Sequence, residues 1–266
     1  MISEAALLAS AGPLRLGVFA ALLLLLGWAQ WRWPLRALGA QRGRWLRHLT
    51  LSALGTALVR LLFPIGAIAV GAWADARNVG LLQWLAAPHA LQCVAGVVAL
   101  DLAIYLQHRA FHQVPWLWRL HRMHHSDTEF ELTTAIRFHP LEIVLSMLIK
   151  LAVILALGVP ALAVLLFEIL LNATALFSHA NLRLPVGLDR ALRRLLVTPD
   201  MHRVHHSVRP EETNSNYGFC LSVWDRWLGT LRTRPREEQI EMAIGLERFR
   251  TESEQSLWQQ LQQPLR

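Results

Sequence analysis

Residues 101–126 read DLAIYLQHRAFHQVPWLWRLHRMHHS, and five histidines fall between positions 108 and 125: His108, His112, His121, His124 and His125. His108 and His112 stand four residues apart, one turn along a helical face, and His121 repeats that spacing with His124 and His125. A second run of the same form, HRVHH, places His202, His205 and His206 together, so the two stretches hold eight of the twelve histidines. Imidazoles one turn apart can aim ring nitrogens at a single metal ion. Three such groups exceed what one ion needs, and the pattern points to two metals. A basic histidine run can also mark a nucleic-acid patch. Here the runs adjoin long apolar segments and lack the interleaved aromatics of a base-stacking module, so no nucleic-acid partner is expected.

Working outward, 54% of the 266 residues are hydrophobic and only 17% are charged, the balance of an integral membrane protein rather than a soluble enzyme. The net charge of +7 fits basic loops and anionic headgroups. Cys93 and Cys220 stand far apart and form no CxxC pair, which excludes a disulfide framework and a thiolate site; Cys93 is expected to pack in its apolar run.

Residues 15–33 read as a first membrane helix. It has no small-residue cleavage site after it and carries Trp28, Trp31 and Trp33 toward an interface. Arg32, Arg36, Arg42, Arg44 and Arg47 follow without an acidic residue, a loop that the positive-inside rule assigns to the cytoplasm. A second span over 49–73 is broken near Pro64 and contains Arg60. A third over 81–107 has an interfacial start and begins in earnest near His89. This order brings His108 and His112 to the cytoplasmic end of the third span. Asp101, Tyr105, His108 and His112 share one stripe of that helix. Asp101 and Tyr105 then either lie beneath the histidines and fix a ring, or Asp101 pairs with Arg60 inside the bundle.

Residues 141–158 and 161–178 are apolar runs of about 27 Å each, joined by Gly158 and Pro160 into a helical hairpin. Lys150 and Glu168 lie symmetrically about the turn and are expected to pair at one depth, since a lone intramembrane charge is expensive. The hairpin returns His179 and Asn181 to the face of the other clusters. Residues 190–206 form a basic amphipathic segment at the interface, with a turn at Thr198–Asp200 into the helix of His202, His205 and His206. NSNYG (214–218) and WDRWLGT (224–230) are expected to fold over the metal site, and 232–266 to be helical or partly mobile. The architecture expected is all-α: an integral membrane helical bundle with a cytoplasmic histidine-rich metal-binding dome. Its parts are N-terminal membrane helices over 1–90, a histidine-bearing domain over 91–230 and a polar cytoplasmic tail over 231–266.

The order HRAFH (108–112), HRMHH (121–125), RFHPLE (137–142), HANLRLP (179–185), HRVHH (202–206), NYG (216–218) and WDRWLGT (224–230) resembles the fatty acid hydroxylase superfamily, also called the sterol desaturase family, over residues 95–230. The resemblance implies a membrane-bound diiron oxygenase that uses O₂ and two electrons to hydroxylate or desaturate a C–H bond of a lipid: fatty acyl, sterol-like or ether lipid. Carried over by motif, the implied metal ligands are His108, His112, His121, His124, His125, His179, His202, His205 and His206. His139 is a weaker candidate, as ligand or as support, and Asn181 acts through water or not at all. Relatives with a second histidine four residues after the His179 position would have it where this chain has Arg183.

Spacing alone leaves iron, zinc and copper open, and iron rests on the resemblance and on redox chemistry with O₂. No HPGG-like haem module is present, so a separate electron-transfer protein is implied. The Ala-, Leu- and Arg-rich composition resembles a bacterial chain and suggests an inner membrane. Arg190, Arg193 and Arg194 fit general membrane-surface charge better than a headgroup site. A metal transporter, or a non-redox metal protein, is the competing class. Transport would place ligands at mid-bilayer, whereas these cluster at span ends. His124→Ala is expected to abolish metal retention, and His48→Ala and His89→Ala to be nearly silent.

Overall fold

The computed structural model describes residues 3–39, 43–85 and 87–266; Arg42 of the basic loop lies outside the described residues. Helices dominate, and among the described residues only isolated β-bridges occur, no strands. The chain opens with α1 (Glu4–Ala9) and α2 (Ala11–Arg32), then α3 (Arg44–Leu62) and α4 (Ala67–Arg77), separated at Pro64 as expected. A short α5 (Leu81–Trp84) leads to α6 (His89–Gln113), which starts at the histidine anticipated. Pro115 ends α6 and opens α7 (Pro115–His125), since proline suits the first helical turn and breaks a preceding one. The hairpin is α8 (Pro140–Leu157) and α9 (Ala161–His179). Beyond it come α10 (Val186–Leu192), α11 (Pro199–His205), α12 (Pro210–Thr213), α13 (Val223–Trp227) and α14 (Leu257–Gln262).

Among the described residues, five segments are long and apolar enough to cross a membrane: α2, the run Arg44–Trp84, α6, α8 and α9. Their outer faces carry exposed Leu16, Leu24, Leu61 and Leu91, a belt that water would not tolerate but lipid does. Trp28, Trp31 and Trp33 stay exposed at one end of α2, as interfacial anchors do. Inside, Leu100, Ile154, Val164 and Phe167 form the buried core of the bundle. Far from the histidines the backbones approach closely. Gly158 closes α8 at φ +66°, and a Cβ there would sit 2.3 Å from the Val79 carbonyl oxygen. A Cβ on Gly80 would fall 2.0 Å from Gly158 N, so neither position admits a side chain. Lys150 and Glu168 do pair across the hairpin, and Arg15 Nη1 joins the same carboxylate at 2.9 Å.

At the histidine end the membrane helices are tied into the dome by a buried polar network. Arg44 pairs with Asp127 and reaches Glu131 Oε1 at 3.3 Å, and Gln30 Nε2 donates to Glu131 Oε2 at 3.2 Å. The His48 ring meets Thr133 Oγ1 at 2.8 Å and is 1% exposed. His48 is thus a member of the network, and His48→Ala is expected to cost stability rather than be nearly silent. His89 is half exposed and reaches only Glu4 and the Cys93 thiol.

Two further expectations change. The segment 190–206 does not lie flat on a surface: α10 is largely exposed, while α11 is buried in the dome with Met201, His202, Arg203 and Val204. The tail is mostly turns, with only α14 and a short 3₁₀ turn helical after Gly245. It is fastened by buried amides. Gln255 Nε2 donates to Ser126 O at 2.7 Å, Gln263 Nε2 to Ser126 Oγ at 3.0 Å, and Arg137 Nη2 to Gln255 Oε1 at 2.9 Å.

Candidate metal centre

Four elements deliver nine imidazoles to one end of the bundle. α6 brings His108 and His112 on its inward stripe, α7 brings His121, His124 and His125, α9 ends at His179, and α11 with its cap brings His202, His205 and His206. The structure gathers them into two groups. His108, His112, His121, His125 and His205 form one; His124, His179, His202 and His206 form the other. Within each group one nitrogen per ring lies within 4.8 Å of the rest. The groups touch, with the rings of His125 and His206 stacked at a centroid separation of 4.5 Å.

The ring tautomers show what these groups are built to hold. The Nδ1 of His108 meets Tyr217 O at 2.8 Å, that of His205 meets Ser215 O at 2.7 Å, and that of His121 meets Glu142 Oε1 at 2.7 Å. In the second group, Nδ1 of His179 meets Ala175 O at 2.8 Å and that of His124 meets Arg137 O at 3.3 Å. Carbonyl and carboxylate oxygens only accept, so in each neutral ring Nδ1 carries the hydrogen and Nε2 is bare. These bare nitrogens face one another: His108 and His121 at 3.1 Å, His108 and His205 at 3.0 Å, His124 and His179 at 3.3 Å. Facing lone pairs repel, and a cation between them turns the repulsion into coordination. His206 is fully buried, and neither of its ring nitrogens has a hydrogen-bond partner. The donor set thus fits metal ions, with partners behind the rings that fix orientation.

Burial reinforces the neutral form. Desolvation, then the neighbouring imidazoles, hold His124, His125, His202 and His206 well below the usual histidine range. Burial pushes His205 down to about 3. Unprotonated rings are the form that binds metal.

The remaining candidates stand elsewhere. Asp101 lies seven residues before His108, about 10 Å down the helix, too far to touch a ring. It accepts from the N–H groups of Cys220 and Leu221, each at 3.2 Å, and from Trp224 Nε1 at 2.8 Å. It pairs with neither a histidine nor Arg60, and instead anchors the 220–224 segment. Tyr105 reaches Thr230 Oγ1 at 2.7 Å and packs edge-on against Tyr217. His139 caps α8, with Nδ1 accepting from Leu141 N at 3.2 Å and Nε2 donating to Leu261 O at 3.1 Å. Both its nitrogens are engaged with backbone, and it belongs to neither group. Asn181 binds the Arg36 backbone through Oδ1 at 3.1 Å and Nδ2 at 2.7 Å, tying the basic loop to the histidine end. Arg183 is exposed, and the second group is assembled without it.

Sequence reasoning missed Glu142. It sits inside the quoted RFHPLE motif, and the available signal was a carboxylate in the first turn of an otherwise apolar helix. It also missed Phe138, whose ring stacks on His124 at 4.3 Å. NSNYG and WDRWLGT do close over the site: Asp225 accepts from Tyr217 N at 2.7 Å and Gly218 N at 2.8 Å, which holds the Tyr217 carbonyl toward His108.

A cavity of about 770 Å³ runs from His108 and His121 into the bundle between α2, α3, α6, α8 and α9. Phe111, Ile143, Met147 and Leu171 give it apolar walls.

Comparison with known proteins follows the same residues. The chain is 32% identical to an ornithine lipid hydroxylase of Rhizobium tropici over 162 residues, 61% of this chain and 47% of that protein. It is 31% identical to an alkylglycerol monooxygenase of Homo sapiens over 150 residues, 56% of this chain and 32% of that protein. With a cholesterol 25-hydroxylase of Rattus norvegicus it shares 26% identity over 198 residues, 71% of this chain and 63% of that protein. The match spans less than two thirds of each relative. No solved structure shows a significant match. The fatty acid hydroxylase model matches residues 93–230, just over half of the chain and the whole of the histidine-bearing region, and the chain belongs to the fatty acid hydroxylase family.

Proposed function

We propose that this protein is a membrane-bound diiron oxygenase that hydroxylates a C–H bond of a lipid, with residues 91–230 as its catalytic unit. The observation that carries the reading is the pair of buried imidazole groups, bare nitrogens converging, with His108 and His121 of the first group lining a largely apolar cavity. The first group would hold one iron through His108, His112, His121, His125 and His205. The second would hold the other through His124, His179, His202 and His206. Two bound irons would supply O₂ activation, with one oxygen atom inserted into the C–H bond and the other released as water, the two electrons coming from a separate electron-transfer protein and the two protons from solvent.

The chain's own share is holding and excluding. Glu142 and the carbonyls of Ala175, Arg137, Ser215 and Tyr217 fix the rings so that Nε2 points inward. Phe111, Phe138 and Phe219 line the histidine end of the cavity and keep water from the reacting carbon. Hydroxylation is favoured over desaturation because the relatives named above are hydroxylases and a monooxygenase. The arginine-rich loop lies at the histidine end through its bonds to Asn181, so the positive-inside rule turns the centre toward the cytoplasm of a bacterial inner membrane.

Elemental analysis and Mössbauer spectroscopy of detergent-purified protein test the reading. About two irons per chain with antiferromagnetic coupling are expected for a diiron site. A single zinc, or no metal after full iron supply, would overturn it. Lipid profiling of cells with and without the protein then identifies the substrate by a mass gain of one oxygen.

A further inference from the structure

The cavity has a second end, and it is charged. Away from the histidines it is lined by Arg15 of α2, Arg60 of α3, and Lys150 and Glu168 of the hairpin. Three cations meet one carboxylate there. Glu168 is shared by Lys150 and Arg15, while among the described residues Arg60 has no hydrogen-bond or ion-pair partner. An arginine within a membrane span is costly and persists where it meets a partner. The other carboxylate lining the cavity, Glu142, faces His121. The protein therefore supplies Arg60 with no counter-charge.

The placement adds direction. Lys150 stands eight residues beyond Glu142 on α8, so the charged end lies about 12 Å along that helix from the residue that orients His121. Between the two ends the walls are mostly apolar, with Ser52, Thr56, Ser146 and Asn172 among them, and Gln107 Oε1 is a buried acceptor without a partner among the described residues. α2 packs on α9 and α3 on α8, so Arg15 and Arg60 come from separate packed pairs with the cavity between them.

We propose that this end of the cavity is a binding station for an anionic oxygen group, a carboxylate or a phosphate ester carried on an acyl or alkyl chain. Arg60 is its principal contact, with Arg15 and Lys150 beside it. The inference rests on reading the cavity as the substrate chamber and specifies the class of amphiphile it takes. The anion is fixed at the charged end, and the chain runs along the apolar walls toward the histidines. Site selection then follows from the length between the anion and the reacting carbon.

The test needs neither metal nor O₂. Full-length metal-free protein in detergent is titrated with hexadecanoate, with hexadecyl phosphate and with methyl hexadecanoate, the neutral control. At least one anion should bind ten-fold or more tightly than the ester, and the anion with the larger advantage names the source. Arg60→Gln should remove the advantage, and Arg60→Lys should keep most of it. Arg60 is exposed and unpaired, so these variants should fold, and an unchanged melting curve verifies that. Equal affinity for anions and ester, or an advantage that survives Arg60→Gln, overturns the proposal and assigns Arg60 to the bilayer surface. Metal content is read separately, so failure here leaves the oxygenase reading standing, and failure of that reading leaves this result intact.

Discussion

An imidazole is useful to a metal only through a bare nitrogen, and which nitrogen is bare depends on what stands behind the ring. In the first group Glu142 plays that part for His121, and backbone carbonyls play it for His108 and His205. Glu142→Leu should leave the helices intact and weaken metal binding about 10- to 100-fold, the usual effect of removing a hydrogen-bond partner from a metal-binding histidine. A competition titration against a chelator of known affinity checks this. The two histidines outside the motifs should behave differently from each other. His48→Ala strips a buried hydrogen bond from the Arg44–Asp127 network and should cost about 1–3 kcal/mol. His89→Ala should stay within about 0.5 kcal/mol. Thermal melts of the two variants in the same detergent settle the difference. At this scale eight of the nine clustered imidazoles were legible because one helical turn separates them within each run, and His179 was legible only through the motif resemblance. Their orienting partners were not, because four of the five are carbonyl oxygens, and every residue type has one.

Among the elements, the α8–α9 hairpin was legible because Gly158 and Pro160 interrupt an apolar run and Lys150 and Glu168 flank the turn symmetrically. Gly158→Ala should destabilise the protein by at least about 2 kcal/mol, since the new side chain meets both a left-handed backbone and the Val79 carbonyl. A lowered melting temperature with unchanged metal stoichiometry is the expected result. α11 was misplaced from sequence because Arg190, Arg193 and Arg194 just before it resemble a headgroup-facing surface. In the fold Arg203 is buried, pairs with Asp200 at 2.7 Å and lies over the Phe130 ring. Asp101 was misjudged for a similar reason: a shared stripe says which face a residue is on, not how far down it sits. The tail gave no periodic signal because it is held by amide side chains of Gln255, Gln260 and Gln263, whose partners Ser126 and Arg137 are more than a hundred residues away in sequence.

For the molecule as a whole, the buried dome has a defined response to acid. The unfolded chain takes up protons near pH 6.5 that His205 refuses until about pH 3, and His124, His125, His202 and His206 are depressed in the same sense. Stability from these groups is complete above about pH 6.5 and is lost as pH falls toward 3. Asp127, held at about 2 by Arg44 and Arg137 against its burial, adds a further loss below the ordinary aspartate value. Denaturation of the metal-free protein should therefore show stability climbing between pH 4 and pH 6.5 and levelling above it. A flat profile over that range would mean that the histidine groups are wet.

The way α7 and α11 straddle the two groups sets the order in which the centre can be filled. α7 gives His121 and His125 to one group and His124 to the other; α11 and its cap give His205 to one and His202 and His206 to the other. Docking either helix contributes ligands to both positions at once, and disturbing either loosens both. If the centre holds two ions as proposed, loading is expected to be cooperative, because the first ion would fix the helices that the second requires. Native mass spectrometry at limiting iron should show empty and doubly loaded chains with few singly loaded ones between them.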